Sequence, residues 1–132
     1  MMLWLAVALG SACGGVARFG VGMLAVRALG AGFPWGTLVI NVLGSFVIGF
    51  YGALTQPDGP MPAGATARAF VMVGICGGFT TFSSFSLQTI ELLQRGEILP
   101  ASLYVAGSVA LCLAGTVLGY FLATRLGMPL RT

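Results

Sequence analysis

Four apolar stretches divide the chain, running from about Leu3 to Leu29, Trp35 to Leu54, Ala69 to Leu93 and about Ala101 to Ala123. Each is long enough for a helix that crosses a bilayer, which takes ~20 residues. Short breakers separate them: Gly30-Ala31-Gly32-Phe33-Pro34, then Gln56-Pro57-Asp58-Gly59-Pro60-Met61-Pro62, then Arg95-Gly96-Glu97. Proline lacks a backbone donor and glycine frees the backbone, so helices end at these points. Nothing of useful size is left over for a soluble domain, and residues 1–132 read as one four-helix transmembrane domain. The opening Met1-Met2-Leu3-Trp4 carries no positive residue. The apolar pattern also runs past the ~7–15 residues of a signal-peptide core. The N-terminus is therefore expected to be part of the first membrane helix.

Within the spans, small residues recur at helical spacing. Gly10, Gly14, Arg18 and Gly22 share one face of the first span; Gly44, Ser45, Gly49 and Gly52 cluster in the second; Gly107, Gly115 and Gly119 mark the fourth. Lipid gives helices no hydrophobic reason to associate, so close backbone approach at small residues is expected to hold the bundle together.

Composition points the same way. The chain is 58% hydrophobic and 7% charged, with neither Lys nor His, where a soluble domain carries roughly 25% charged residues. Lipid, not water, is the solvent for most of the surface. The pI of about 9.1 reflects a net charge of +3, too thinly spread for a nucleic-acid face. Cys13, Cys76 and Cys112 lie in apolar runs without ligand spacing, which argues against a zinc site and for buried small side chains. No enzyme chemistry is expected.

The arginines give little orientation. Arg68, Arg125 and Arg131 fall on one side of the membrane and Arg27 and Arg95 on the other, so the positive-inside bias is nearly nil. Such a chain can insert both ways, and two opposite copies can pair about an axis in the membrane plane.

Against this background, polar residues inside the spans stand out. Arg18 lies well inside the first span, where a charge usually faces a cavity or the bundle interior. An anion-collecting vestibule suits it, with snorkelling or pairing to a helix C-terminus as alternatives. Thr37, Asn41 and Ser45 form a stripe on the second span. An Asn amide offers donors without charge, although the same stripe could tie helices together. The third span holds Gly77-Gly78-Phe79-Thr80-Thr81-Phe82-Ser83-Ser84-Phe85-Ser86. Adjacent glycines followed by hydroxyl residues make a poor continuous helix, so a break near mid-membrane is expected, with freed carbonyls able to hold a cation. Phe82 and Phe85 share a face beyond it, and ring edges are positive. Tyr104, Ser108, Cys112 and Thr116 repeat every four residues on the fourth span as a polar track or as helix ties.

That third-span run resembles the GG-x-TTFS-S/T-F-S signature of the Fluc/CrcB fluoride channel family, and Gly36-Thr37-Leu38 leading to Asn41 and Gly44 supports it. The resemblance covers nearly the whole chain. It implies an all-α integral membrane protein of the bacterial inner membrane: a dual-topology antiparallel homodimer that passively exports fluoride. It also implies a structural Na⁺, not transported, held by the carbonyls of Gly77 and Thr80 from both subunits. Phe82, Phe85 and Asn41 match the pore residues, Arg18 the vestibule arginine, and Tyr104 and Ser108 the polar track. Thr37 and Ser84 are further hydroxyl candidates. Two positions depart: Cys112 stands where Ser is familiar, and Gln88 where an acidic residue often follows. The main alternative is a small four-helix dual-topology multidrug antiporter, but that chemistry needs a membrane carboxylate absent here. A tetraspan without transport leaves the Gly-Gly and hydroxyl run unexplained.

Overall fold

In a computed structural model that describes residues 1–126, the apolar stretches form four long helices. They are α1 (Met2–Leu29), α2 (Trp35–Thr55), α3 (Ala65–Gln94) and α4 (Ile98–Leu126), each long and apolar enough to cross a membrane. Arg131 lies outside the described residues. The breakers act as composition predicts. Gly96, at φ 76°, terminates α3, with its N–H donating to Leu93 O and that of Glu97 to Leu92 O. This paired closure needs a left-handed residue, which glycine supplies without strain.

α1 packs on the first half of α3, and α2 packs on α4. Glycine makes both contacts possible. A Cβ on Gly74 would stand 2.8 Å from Gly10 Cα, and one on Gly49 would meet Thr116 Cα at 3.0 Å. Gly107, by contrast, has open space before it and takes no part in packing within the chain. Residues Ala69–Cys76 of α3 form a π-helix; Gly74 within it meets Gly10 of α1, and Gly78 just beyond it meets Ser11. At the far end of α2, Arg68 Nη1 donates to Gly52 O and to Thr55 Oγ1, a cation on a helix C-terminus.

α3 is broken, two residues beyond the glycine pair. Gly77, Gly78 and Phe79 remain helical. Thr80 (φ −79°, ψ 158°) and Thr81 (φ −152°, ψ 110°) are extended, and the helix restarts as Phe82–Gln94. The halves are called α3a and α3b below. A Cβ on Gly78 would strike Ser11 O, so this glycine serves close packing, and the hinge falls to the threonines.

Most large apolar side chains outside these contacts, such as Leu9, Val16, Phe19, Leu113 and Phe121, are exposed. This is the surface of a multi-pass membrane protein, presented to lipid and other apolar partners.

Candidate functional site

Everything of chemical interest gathers at the break. An interrupted helix leaves orphan amides and carbonyls that lipid cannot satisfy. Asn41 of α2 takes care of one residue entirely: its Nδ2 donates to Thr81 O at 3.1 Å, and Thr81 N–H donates to Asn41 Oδ1 at 2.8 Å. The side-chain amide replaces a neighbouring peptide. Thr81 Oγ1 in turn accepts from Ser84 N–H, capping α3b, and donates to Ser84 Oγ at 3.0 Å. Thr80 Oγ1 donates back to Cys76 O at 2.8 Å. Arg18 Nη1 reaches Thr80 O at 3.3 Å, so the intramembrane arginine meets the C-terminal end of α3a, where its charge suits the dipole.

Two cavities flank this knot, and Thr81 lines both. The first, about 610 Å³, carries Arg18, Arg27, Arg95 and Glu91 among its charged residues, with Thr37, Ser84 and Gln88 as uncharged ones. Arg27 and Arg95 stand near helix ends, which makes them the outer cations; Arg18 sits at the inner end, against the break. The second cavity, about 360 Å³, is lined by Asn41, Gly77, Thr80, Phe82, Phe85, Ser108 and Cys112. Phe82 is 78% exposed and Phe85 only 9%, their ring centroids 5.3 Å apart. The Ser108 hydroxyl, on a residue 5% exposed, has no hydrogen-bond partner among the described residues.

The expected site residues therefore divide. Arg18, Thr37 and Ser84 face the cationic cavity; Asn41, Phe82, Phe85 and Ser108 face the aromatic one with Gly77 and Thr80. Tyr104 lines neither. It is buried behind them, with Phe85 and Phe33 against its ring and its hydroxyl donating to Gln88 Oε1 at 3.0 Å. Thr116, on the same stripe, ties α4 to Ser45 O of α2. Sequence reasoning missed Thr81. Its signal was a threonine immediately before a helical restart, the usual N-cap position.

The break also bears on a cation. Thr81 N–H would serve the Gly77 carbonyl in a continuous helix, but it is engaged by Asn41, while the Thr80 carbonyl accepts from Arg18 Nη1. Among the described residues no group of three or more acidic, His or Cys side chains could hold a metal.

Comparison with known proteins gives a consistent result. The model of a family described as CrcB-like protein, Camphor Resistance (CrcB), matches residues 5–120. A protein of Opitutus terrae named fluoride-specific ion channel FluC is 54% identical over 126 residues, 96% of this chain and 96% of its own length. Proteins of the same name from Methylocella silvestris and Paramagnetospirillum magneticum are 51% and 54% identical over 124 residues, each covering 94% of this chain and 93% and 97% of their own lengths.

Proposed function

This chain belongs to the CrcB-like family, and on that premise we propose that it is a fluoride-selective channel of the plasma membrane that passively exports the ion. The observation that carries the proposal is the aromatic cavity with its unpartnered donor. Ser108 offers a buried hydroxyl without a partner among the described residues, beside the rings of Phe82 and Phe85 and the remaining Asn41 N–H. A buried unpaired hydroxyl is unfavourable by about 1–3 kcal/mol, and a small anion passing the cavity relieves it.

Fluoride is compact and strongly hydrated, so a pore must replace its water with several weak donors. Arg27 and Arg95 gather anions at the outer end of the cationic cavity, and Arg18 carries the charge inward. Beyond Thr81, ring edges and hydroxyls hold the ion without a fixed charge that would bind too tightly for release. Thr81 stands between the two cavities of one chain. The exposed Phe82 is expected to complete its surroundings against a second, antiparallel copy. A Na⁺ at that junction would be held by the Gly77 and Thr80 carbonyls of both copies; hard cations favour such oxygens, and the ion would tie the two breaks together. The antiporter alternative finds no support, because none of the residues lining the aromatic cavity is acidic.

Electrode-monitored efflux from proteoliposomes tests the proposal, with chloride as control. Fluoride should leave rapidly while chloride is retained. Release no faster than from protein-free liposomes, or chloride passing as readily, would refute it.

A further inference from the structure

The cationic cavity has an apolar side wall for which an inorganic anion has no use. Its outer cations are Arg27, in the last turn of α1, and Arg95, just past α3b. Arg95 pairs with Glu97 at 3.6 Å, whereas Arg27 has no carboxylate within ion-pair distance among the described residues. Inward from Arg27 the wall turns apolar and opens sideways. Phe19, Met23 and Val26 line the cavity on one face of α1, yet all three are exposed. Phe19 and Arg27 lie about two helical turns apart, ~12 Å along the axis. The result is a groove with cations at the end of a membrane helix and an apolar floor running inward from them.

We propose that this groove binds an anionic phospholipid, its phosphodiester between Arg27 and Arg95 and one acyl chain along Phe19, Met23 and Val26. With Glu91 and Glu97 set against Arg18, Arg27 and Arg95, the cavity keeps a surplus of one positive charge, which a singly charged phosphodiester matches. Basic pockets between membrane helices take such headgroups, because each arginine near the surface adds to the attraction. A free phosphate would meet the arginines and leave the floor uncovered. A zwitterionic headgroup would bring a cation of its own against them. The site stands independently of the fluoride-channel reading, because lipid binding is measured without flux.

Titration of the full-length protein in mild detergent, read by native mass spectrometry and by thermal midpoint, tests the site. Dioleoylphosphatidylglycerol should bind at one lipid per chain and raise the midpoint, with dioleoylphosphatidylcholine weaker by about tenfold or more. Glycerol 3-phosphate, which carries the phosphate without the chains, should not displace the lipid at equal concentration. Arg27→Gln should weaken phosphatidylglycerol binding about fivefold, and Arg27→Gln with Arg95→Gln roughly thirtyfold. Arg125→Gln removes the same charge from an exposed arginine at the far end of α4 and should leave binding unchanged. Arg27 is itself exposed, so the single variant decides should the double one fail to fold. Equal affinity for the two lipids, an equal loss in Arg125→Gln, or displacement by glycerol 3-phosphate would overturn the proposal. A dimer that retains no lipid would overturn it as well, and would mean that a second copy covers the groove.

Discussion

Asn41 serves the backbone directly, and the ion only on the reading proposed above. It holds both polar groups of Thr81, so Asn41→Ala should orphan an N–H and a carbonyl at about 1–3 kcal/mol each. Melting of the detergent-solubilised protein should drop together with flux. Ser108 should behave oppositely. Its hydroxyl has no partner among the described residues, so Ser108→Ala should leave stability unchanged or raise it by up to about 1–3 kcal/mol yet slow fluoride efflux. A large loss of stability there would mean that Ser108 is a structural tie. The two phenylalanines also part company. Phe82→Ile, at an exposed ring, should cut flux with the subunit intact, whereas Phe85→Ile also removes packing on Tyr104. Both should lower flux far more than Arg18→Ala, measured as fluoride release from liposomes.

Helices depend on backbone approach. Gly74→Ala would press a methyl group on Gly10 Cα and should destabilise by about 1–3 kcal/mol. Gly20→Ala, with open space around it, should be neutral or stabilise by up to ~1 kcal/mol through helix propensity; a thermal-shift comparison of the pair checks this. The four spans were legible because apolar length and Pro/Gly breakers are local signals. Observed ends such as Thr55 and Gln94 fall close to those expected. The site was legible as a set of residue types, less so as an arrangement. The break was expected within the Gly77-to-Ser86 run and falls at Thr80-Thr81, while Gly78 packs against Ser11. The pairing of Asn41 with Thr81 spans 40 positions, a tertiary contact that no local pattern announces. Tyr104 falls behind the cavities for the same reason: its helical phase places it with Ser108, but packing by Phe33 and Phe85 decides where its hydroxyl points.

At the scale of the molecule, the balance of arginines and the exposed Phe82 are what support the proposed second, opposite copy. Adding two or three Lys to the C-terminus should force one orientation and abolish efflux, and a copy biased the other way should restore it. If a forced single orientation conducts alone, the antiparallel pair is wrong. Replacing Na⁺ by choline throughout purification should lower the thermal stability of the dimer, provided the Gly77 and Thr80 carbonyls hold that ion.

Selectivity is the central claim, and a reversal potential measures it directly. A planar bilayer containing the protein would carry a tenfold fluoride gradient, with equal chloride on both sides and the gradient balanced by an impermeant anion. A fluoride-selective pathway built on neutral donors should reverse near the fluoride equilibrium potential, about 59 mV from zero for a univalent ion. Reversal near zero, at the chloride potential, would contradict the account.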